Sequence, residues 1–235
     1  MTRELFDREI AKLKDQVLEL GTMVENAVNT AVEALRQGDK KTARKVMAAD
    51  QQINEKRYEI ENNCLVLIAT QQPMARDLRL LAAILEVITE LERIGDYAKG
   101  IAHICVAVGE EKEADVPRSD LKQMAKIGLS MLNDALQAFV VQDAETARSI
   151  PQRDDEVDDL YNKVYRKLLK QMLNNPDAID NASHLIWAAH NLERLADRVT
   201  NISERIVFVA TGEIIEMDQS DDELQKMAAE KELKK

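Results

Sequence analysis

Part of this chain is written twice. Asp39-x-x-Thr42-Ala43-Arg44 returns as Asp143-x-x-Thr146-Ala147-Arg148, and Leu91-Glu92-Arg93-Ile94-Gly95-Asp96 returns as Leu192-Glu193-Arg194-Leu195-Ala196-Asp197. The motifs keep their order, and the spacing between copies differs by three residues from one motif to the other. A slip of that size belongs at a surface turn, where residues can be lost without disturbing packing. Duplication is therefore the strongest constraint on the fold: whatever the first half builds, the second half builds again.

The unit that repeats reads as three helices. From Ile10 the apolar residues Leu13, Val17, Leu20, Val24, Ala27 and Ala31 recur in steps of three and four, which aligns them on one helical stripe. Gly38 closes that helix, and Asp39 stands where an N-cap would open a second, carrying Val46, Ile53, Ile60, Cys64 and Leu67 as far as Gln71-Gln72-Pro73. A third helix is predicted from about Met74 to Val108, on Leu80, Ile84, Val87, Leu91, Ile94, Ala98 and Ile101. The polar run Gly109 to Pro117 is the expected linker. The last helix of the second unit, about Ile179 to Val209, has the stripe Leu185, Ala188, Leu192, Leu195, Val199, Ile202, Ile206 and Val209. Seven Gly and four Pro in 235 residues leave few turns. The expected fold is all-α, two tandem antiparallel three-helix bundles with six long helices, over 1–112 and 118–213, followed by a charged tail over 214–235. Trp187 and the tyrosines are expected to serve helix packing.

Composition excludes several classes of function. A formal net charge of −11, with no basic cluster to offset it, repels phosphate backbones and anionic lipid, so nucleic acid is not an expected partner. No apolar run approaches the ~20 residues of a membrane span, and the start lacks the marks of a secretory signal, so a cytoplasmic protein is expected. Cys64 and Cys105 match no disulfide framework or zinc motif and read as buried apolar residues. His103, His184 and His190 are scattered and read as structural. No phosphate loop or nucleophile motif is present, and no catalytic residue or enzymatic activity is expected.

The chemistry lies in the acids. Glu92 and Asp96, like Glu193 and Asp197, are four apart and share a helix face. With 43 acidic residues in the chain, about seven or eight such pairs arise from composition alone, so spacing by itself singles out nothing. Hairpin geometry adds the missing constraint. Residues equally distant from a tight turn lie at equal height on antiparallel helices. A turn centred on Pro73 sets Asp50 opposite Asp96 and Asn54 opposite Glu92; a turn between Asn175 and Pro176 sets Asp154 opposite Asp197 and Asp158 opposite Glu193. Each hairpin then gathers oxygen-bearing side chains roughly 30 Å from its turn, at about 1.5 Å per residue. Asp50 takes a slot in an apolar stripe, and Glu193 interrupts one formed by Ile186, Ala189, Ala196 and Thr200, so these acids border the core. Crowded carboxylates at such a seam take up protons, pair with cations or bind a metal ion. An oxygen-only set suits Mg2+, Mn2+ or Fe3+. Neutralisation by Arg93, Arg194 and Arg198 as ordinary ion pairs is the alternative.

At Pro73-Met74-Ala75-Arg76-Asp77-Leu78-Arg79, at both Leu-Glu-Arg motifs and at Val209-Ala210-Thr211-Gly212-Glu213, the chain resembles the PhoU family of phosphate-system regulators, a likeness covering residues 3 to 213. The resemblance implies paired three-helix bundles whose acidic motifs hold metal ions or clusters, with iron, manganese, magnesium and zinc as the candidates. In this chain those motifs fall on Glu92/Asp96, Asp154/Asp158 and Glu193/Asp197, with Asp50/Asn54 as the fourth. Asn54 departs from the acidic pattern, and one charge fewer weakens the first site relative to the second. The resemblance further implies a negative regulator of phosphate uptake and of phosphate-starvation two-component signalling, linking the phosphate ABC transporter ATPase to a membrane sensor histidine kinase. A homodimer is one form such a protein could take. The rival readings are a metal-binding helical scaffold without regulatory function and a carboxylate-bridged di-metal oxidase, for which the Glu-x-x-His ligands are missing.

Overall fold

The structure is a computed structural model that describes residues 3–108 and 117–217. Helix α1 spans Arg3–Gln37, α2 Lys40–Gln71 and α3 Arg76–Ala107; α4 spans Arg118–Val141, α5 Ala144–Ser149, α6 Asp154–Asn174 and α7 Ile179–Thr211. The described residues contain no strand, as the apolar periodicity predicts. The expected linker, apart from Pro117, and the tail from Asp218 to Lys235 lie outside the described residues.

Local signals set the helix ends. Asp39 opens α2 by accepting from the backbone N–H groups of Lys41 and Thr42, and Asp143 opens α5 by accepting from those of Glu145 and Thr146. Gly38 and Gly212 close α1 and α7 in the left-handed conformation (φ 70° and 84°) that glycine adopts without steric cost. At the α2–α3 turn that conformation falls to Gln72 (φ 47°), just before Pro73, and Ala75 also takes a positive φ of 49°. The second hairpin turns at Asn175, whose side chain accepts from the N–H of Asp177 in a short 3-10 turn, Pro176–Ala178.

The second copy departs from the first within its second helix. Where α2 runs unbroken, the second unit has α5, a 3-10 turn over Ile150–Arg153, and then α6. Pro151 is the cause, since it lacks an N–H and its ring collides with the carbonyl four residues back. The six long helices expected are thus five, plus one divided at its start.

The predicted stripes form the core. All seven apolar residues expected along α3 and all eight expected along α7 are buried. Helix α7 is also buried on a second side, through Ala189, Ala196 and Val207, because it packs on α4 and α6 of its own unit and on α3 of the other. Helix α1 meets α4 across the same seam. Backbone approach there is close: a Cβ on Gly21 would lie 2.3 Å from Leu136 Cδ1, and one on Gly100 would lie 2.8 Å from Asn191 Nδ2. Both cysteines are free and buried, and burial pushes the Cys64 thiol up to about 12. Tyr97 and Tyr161 pack against the core as expected, whereas three other aromatic residues correct the expectation. Trp187 is 65 % exposed, and Tyr58 and Tyr165 also face solvent. Alanine, leucine and isoleucine at helical spacing fill the bundle closely enough to leave these rings no place in it.

Candidate metal centre

The first hairpin brings its four predicted residues together. Asp50 replaces a core residue on α2 between Val46 and Ile53 and is only 4 % exposed. Asn54, one turn on, points its Nδ2 at Asp50 Oδ2 at 3.5 Å. From α3, Glu92 is half-buried and Asp96 stands at the exposed rim. Burial, then the charge of Asp96 and that of Asp50, push the Glu92 carboxyl up against the opposing fields of Arg57 and Arg93. Burial and Asp50 push Asp96 up in the same way, against Lys99. Facing acids at equal height are therefore within each other's field, as the turn at Pro73 requires.

In the first hairpin the ion pair made by Asp50 is with none of the three expected arginines. Arg93 and Arg198 both pair with Glu90, at 3.1 and 3.3 Å, and Arg194 lies over the Tyr97 ring at 5.5 Å. Lys99 instead reaches Asp50, with Nζ 2.7 Å from Oδ2. Its position three residues after Asp96 on α3 was the available signal, since that spacing shares a helix face. Asp50 Oδ1 and Asn54 Oδ1, both buried, have no hydrogen-bond partner. Glu90, which the acidic spacing did not single out, also accepts from Asn201 at 3.3 Å and so ties α3 to α7.

In the second unit, Asp154 and Asp158 are half-buried on α6 while Asp155, Glu156 and Asp159 are exposed. The half-buried pair lies beside buried Val157, on the side that packs against α7. Glu193 and Asp197 on α7 are half-buried as well. Register across this hairpin is reported by Tyr161: the charge of Glu193, after burial, raises its hydroxyl, and its ring lies 6.1 Å from His190. His190 Nδ1 meets Glu193 at 3.2 Å, and burial followed by Arg194 holds the imidazole below its usual value.

The donor chemistry suits a hard cation in both hairpins, through three carboxylates and an amide in the first and four carboxylates in the second. The side-chain arrangement is looser than a coordination shell. Among the described residues no group of three or more His, Cys, Asp or Glu is drawn in closely enough to hold a metal ion. A metal would be held by Asp154, Asp158, Glu193 and Asp197 in the second unit, or by Asp50, Asn54, Glu92 and Asp96 in the first, after their carboxylates turn inward. An open cleft of about 490 Å3 between α2, α3 and α7 lies alongside the first cluster and carries both signs of charge, on Arg57, Glu61, Glu86, Glu90 and Arg205. No described helix is long and apolar enough to cross a membrane.

Comparison with known proteins agrees with this architecture. The profile of the PhoU domain matches residues 17–105 and again residues 121–206. A phosphate-specific transport system accessory protein PhoU homolog of Clostridium acetobutylicum is 32 % identical over 219 residues, 93 % of this chain and 100 % of that protein. The homolog of Streptococcus pneumoniae is 35 % identical over 92 % of this chain and all of its own length. Among solved structures, the phosphate transport system regulatory protein PhoU from Streptococcus pneumoniae superposes with a TM-score of 0.84 at 34 % identity, covering 90 % of this chain and 99 % of that one. PhoU from Pseudomonas aeruginosa gives 0.83 at 35 % identity, covering 88 % and 100 %.

Proposed function

The chain belongs to the PhoU family, and on that premise we propose that it is a non-catalytic negative regulator of phosphate uptake, acting between the ATPase of a phosphate ABC transporter and a membrane sensor histidine kinase. The observation that carries this is the shared fold and 34 % identity, over nearly the whole of both chains, with a protein described as a phosphate transport system regulator. In this reading the bundle is an adaptor. Its outer helices present fixed surfaces, and the carboxylate seams inside each hairpin govern how firmly those surfaces are held.

A divalent cation bound between α6 and α7 would join Asp154 and Asp158 to Glu193 and Asp197 across the hairpin. Iron, manganese, magnesium and zinc are all candidates for oxygen donors of this kind. Holding the two helices together lowers the conformational freedom of the face they share, which stabilises whichever partner-binding shape has that spacing. Elemental analysis of tag-free protein, followed by pull-down with the transporter ATPase and with the cytoplasmic part of the kinase, tests both parts. Metal present and partner capture weakened by chelation is the expected result. Capture of neither partner, by metal-loaded or stripped protein, would reject the adaptor role.

A second reading has one observation in its favour. The described acids are not drawn into a preformed shell, which suits a bundle that binds its partners without metal. Partner capture unchanged by complete chelation would select it.

A further inference from the structure

The negative charge of the chain is unevenly spread. Residues 160–176, the turn-proximal part of α6, contain Lys163, Arg166, Lys167 and Lys170 and no acid, in a protein with 43 acidic residues and a net charge of −11. These four bases lie three or four apart and are all exposed, so they form one outward stripe. Tyr165, Leu169 and Leu173, four apart, form a second exposed stripe beside it, and Leu173 is 78 % exposed. Buried Val157, Val164 and Leu168 hold the other side of the helix against the bundle. Among the described residues α6 packs on α7, on α4 and on the two 3-10 turns at its ends, which leaves both stripes facing outward. Asp120 of α4 takes Lys163 at 2.9 Å, with the lysine still 64 % exposed, and Asp177 and Asp180 stand beyond the turn. The contact of Tyr161 with His190 fixes the register of the α6–α7 hairpin, and by that register the exposed Trp187 lies level with Val164, one residue from Tyr165.

We propose that the outward face of α6, over residues 163–173, is a docking surface for an anionic lipid bilayer. Lysine and arginine meet the lipid phosphates, while the tyrosine and the two leucines enter the boundary between headgroups and acyl chains. Tyrosine and tryptophan favour that boundary, since each carries an apolar ring and a polar group, and Tyr165 and Trp187 are both placed to reach it. The shape of the surface argues for lipid over protein. A partner helix is received in a groove, whereas these stripes run side by side along one convex helix, which a flat surface can touch along its length. The net charge of −11 repels such a surface as a whole, but charges more than about 8 Å apart are largely screened at physiological ionic strength. At about 1.5 Å per residue, Asp158 lies roughly 12 Å along the helix from Arg166 and roughly 18 Å from Lys170. Within reach of the headgroups the local basic face therefore decides, with the acidic start of α6 tilted away. This assignment does not depend on whether the carboxylate seams bind metal.

Full-length protein mixed with vesicles tests the assignment, using phosphatidylcholine alone or equal parts phosphatidylcholine and phosphatidylglycerol. Binding is read by sedimentation and by the emission of Trp187, the only tryptophan of the chain. Wild type is expected to sediment with the mixed vesicles and not with phosphatidylcholine, to shift its emission to the blue on binding, and to lose both effects at high salt. Arg166→Gln/Lys170→Gln should lower the partition coefficient about twenty- to thirtyfold, since each base near an anionic surface contributes about fivefold. Lys122→Gln/Lys126→Gln removes the same charge from exposed positions on α4 and should change it by less than about twofold. Leu169→Ser/Leu173→Ser should weaken binding and reduce the blue shift. Failure of wild type to bind the mixed vesicles at low salt would overturn the proposal, as would an equal loss in the two lysine and arginine pairs, which would make net charge the cause. Bound wild type with unshifted Trp187 emission would place the contact on another face and overturn it too. Loss of a protein partner in Arg166→Gln/Lys170→Gln, with no vesicle binding by wild type, would assign the face to an acidic protein segment instead. Should circular dichroism show that a double variant has lost helix, Arg166→Gln and Lys170→Gln taken singly, each expected to cost about fivefold, decide it.

Discussion

Asp39 and Asp143 cap equivalent helices with the same three hydrogen bonds. In each, one carboxylate oxygen accepts from two backbone N–H groups, at 3.0 and 3.0 Å for Asp39 and 3.0 and 3.1 Å for Asp143, while the other accepts from a threonine hydroxyl at 2.6 Å. The duplication seen in the sequence is thus reproduced down to single contacts, although the helices that follow differ in length.

Those bonds make the caps pH-dependent. The threonine hydroxyl first, then the backbone N–H groups, hold both carboxyls below the ordinary Asp value. A group whose folded pKa is depressed contributes stability above its unfolded pKa and loses it as pH falls through the folded one. Asp39→Ala and Asp143→Ala should each lower the urea midpoint at neutral pH, and the deficit should shrink as the pH drops below the usual carboxylate range. A deficit of constant size down to strong acid would contradict this origin.

Glu92 carries the opposite sign. Its carboxyl is pushed up by burial first, and then by Asp96 and Asp50. When metal-free, it opposes folding at neutral pH, and that penalty fades as pH falls through the raised folded value and is gone below the unfolded one. In chelator-treated protein Glu92→Gln should therefore raise Tm at neutral pH, by an amount that diminishes on acidification. A Glu92→Gln protein less stable than wild type at neutral pH would show that the seam needs this charge even without metal.

Glu90 joins the two units. It takes Arg93 at 3.1 Å, Arg198 at 3.3 Å and Asn201 at 3.3 Å, with its side chain 13 % exposed. Removing one partner of a partly buried network leaves the others uncompensated. Glu90→Ala should cost about 1–3 kcal/mol, and the cycle with Arg198→Ala should return a coupling of at least ~0.5 kcal/mol. Additive costs would mean that the crossing bonds contribute nothing beyond their separate side chains.

Gly21 sets how closely α1 approaches α4. The atoms nearest a Cβ there belong to the Leu136 side chain, its Cδ1 foremost, so Gly21→Ala should be nearly neutral, the clash relieved by a shift of that flexible end and offset by about 1 kcal/mol of helix propensity. Gly21→Val cannot be relieved so simply and should cost about 1–3 kcal/mol. Leu136→Ala alone leaves a cavity, yet in the double variant part of the Gly21→Val cost should return. Denaturant midpoints of the four proteins test this, and strict additivity would place the valine's clash elsewhere.

Much of the architecture was legible because its causes are local. Apolar residues at steps of three and four had to line one side of each helix, and those of α3 and α7 are buried without exception. Asp39 and Gly38 mark a helix boundary with their own atoms. Pro73 and Asn175-Pro176 place the turns, and the turns alone bring Asp50 level with Asp96. Trp187 was misplaced because an aromatic side chain next to an apolar stripe reads the same whether the neighbouring helix covers it or stops short.

Three things were left to the tertiary structure. Periodicity fixes how a helix is rotated about its own axis, but α7 has apolar residues on two sides, and only packing sets it against α4 and α6 of its own unit and α3 of the other. Glycine in a helix shows that something comes near without naming it, as Gly21 and Gly100 do. Long charged side chains are freer still: Lys99 and Arg198 turn about several bonds, and each goes to a carboxylate that the assembled bundle largely buries, Asp50 and Glu90. Chain order thus determined where the acids meet, and the burial produced by folding determined which cation meets them.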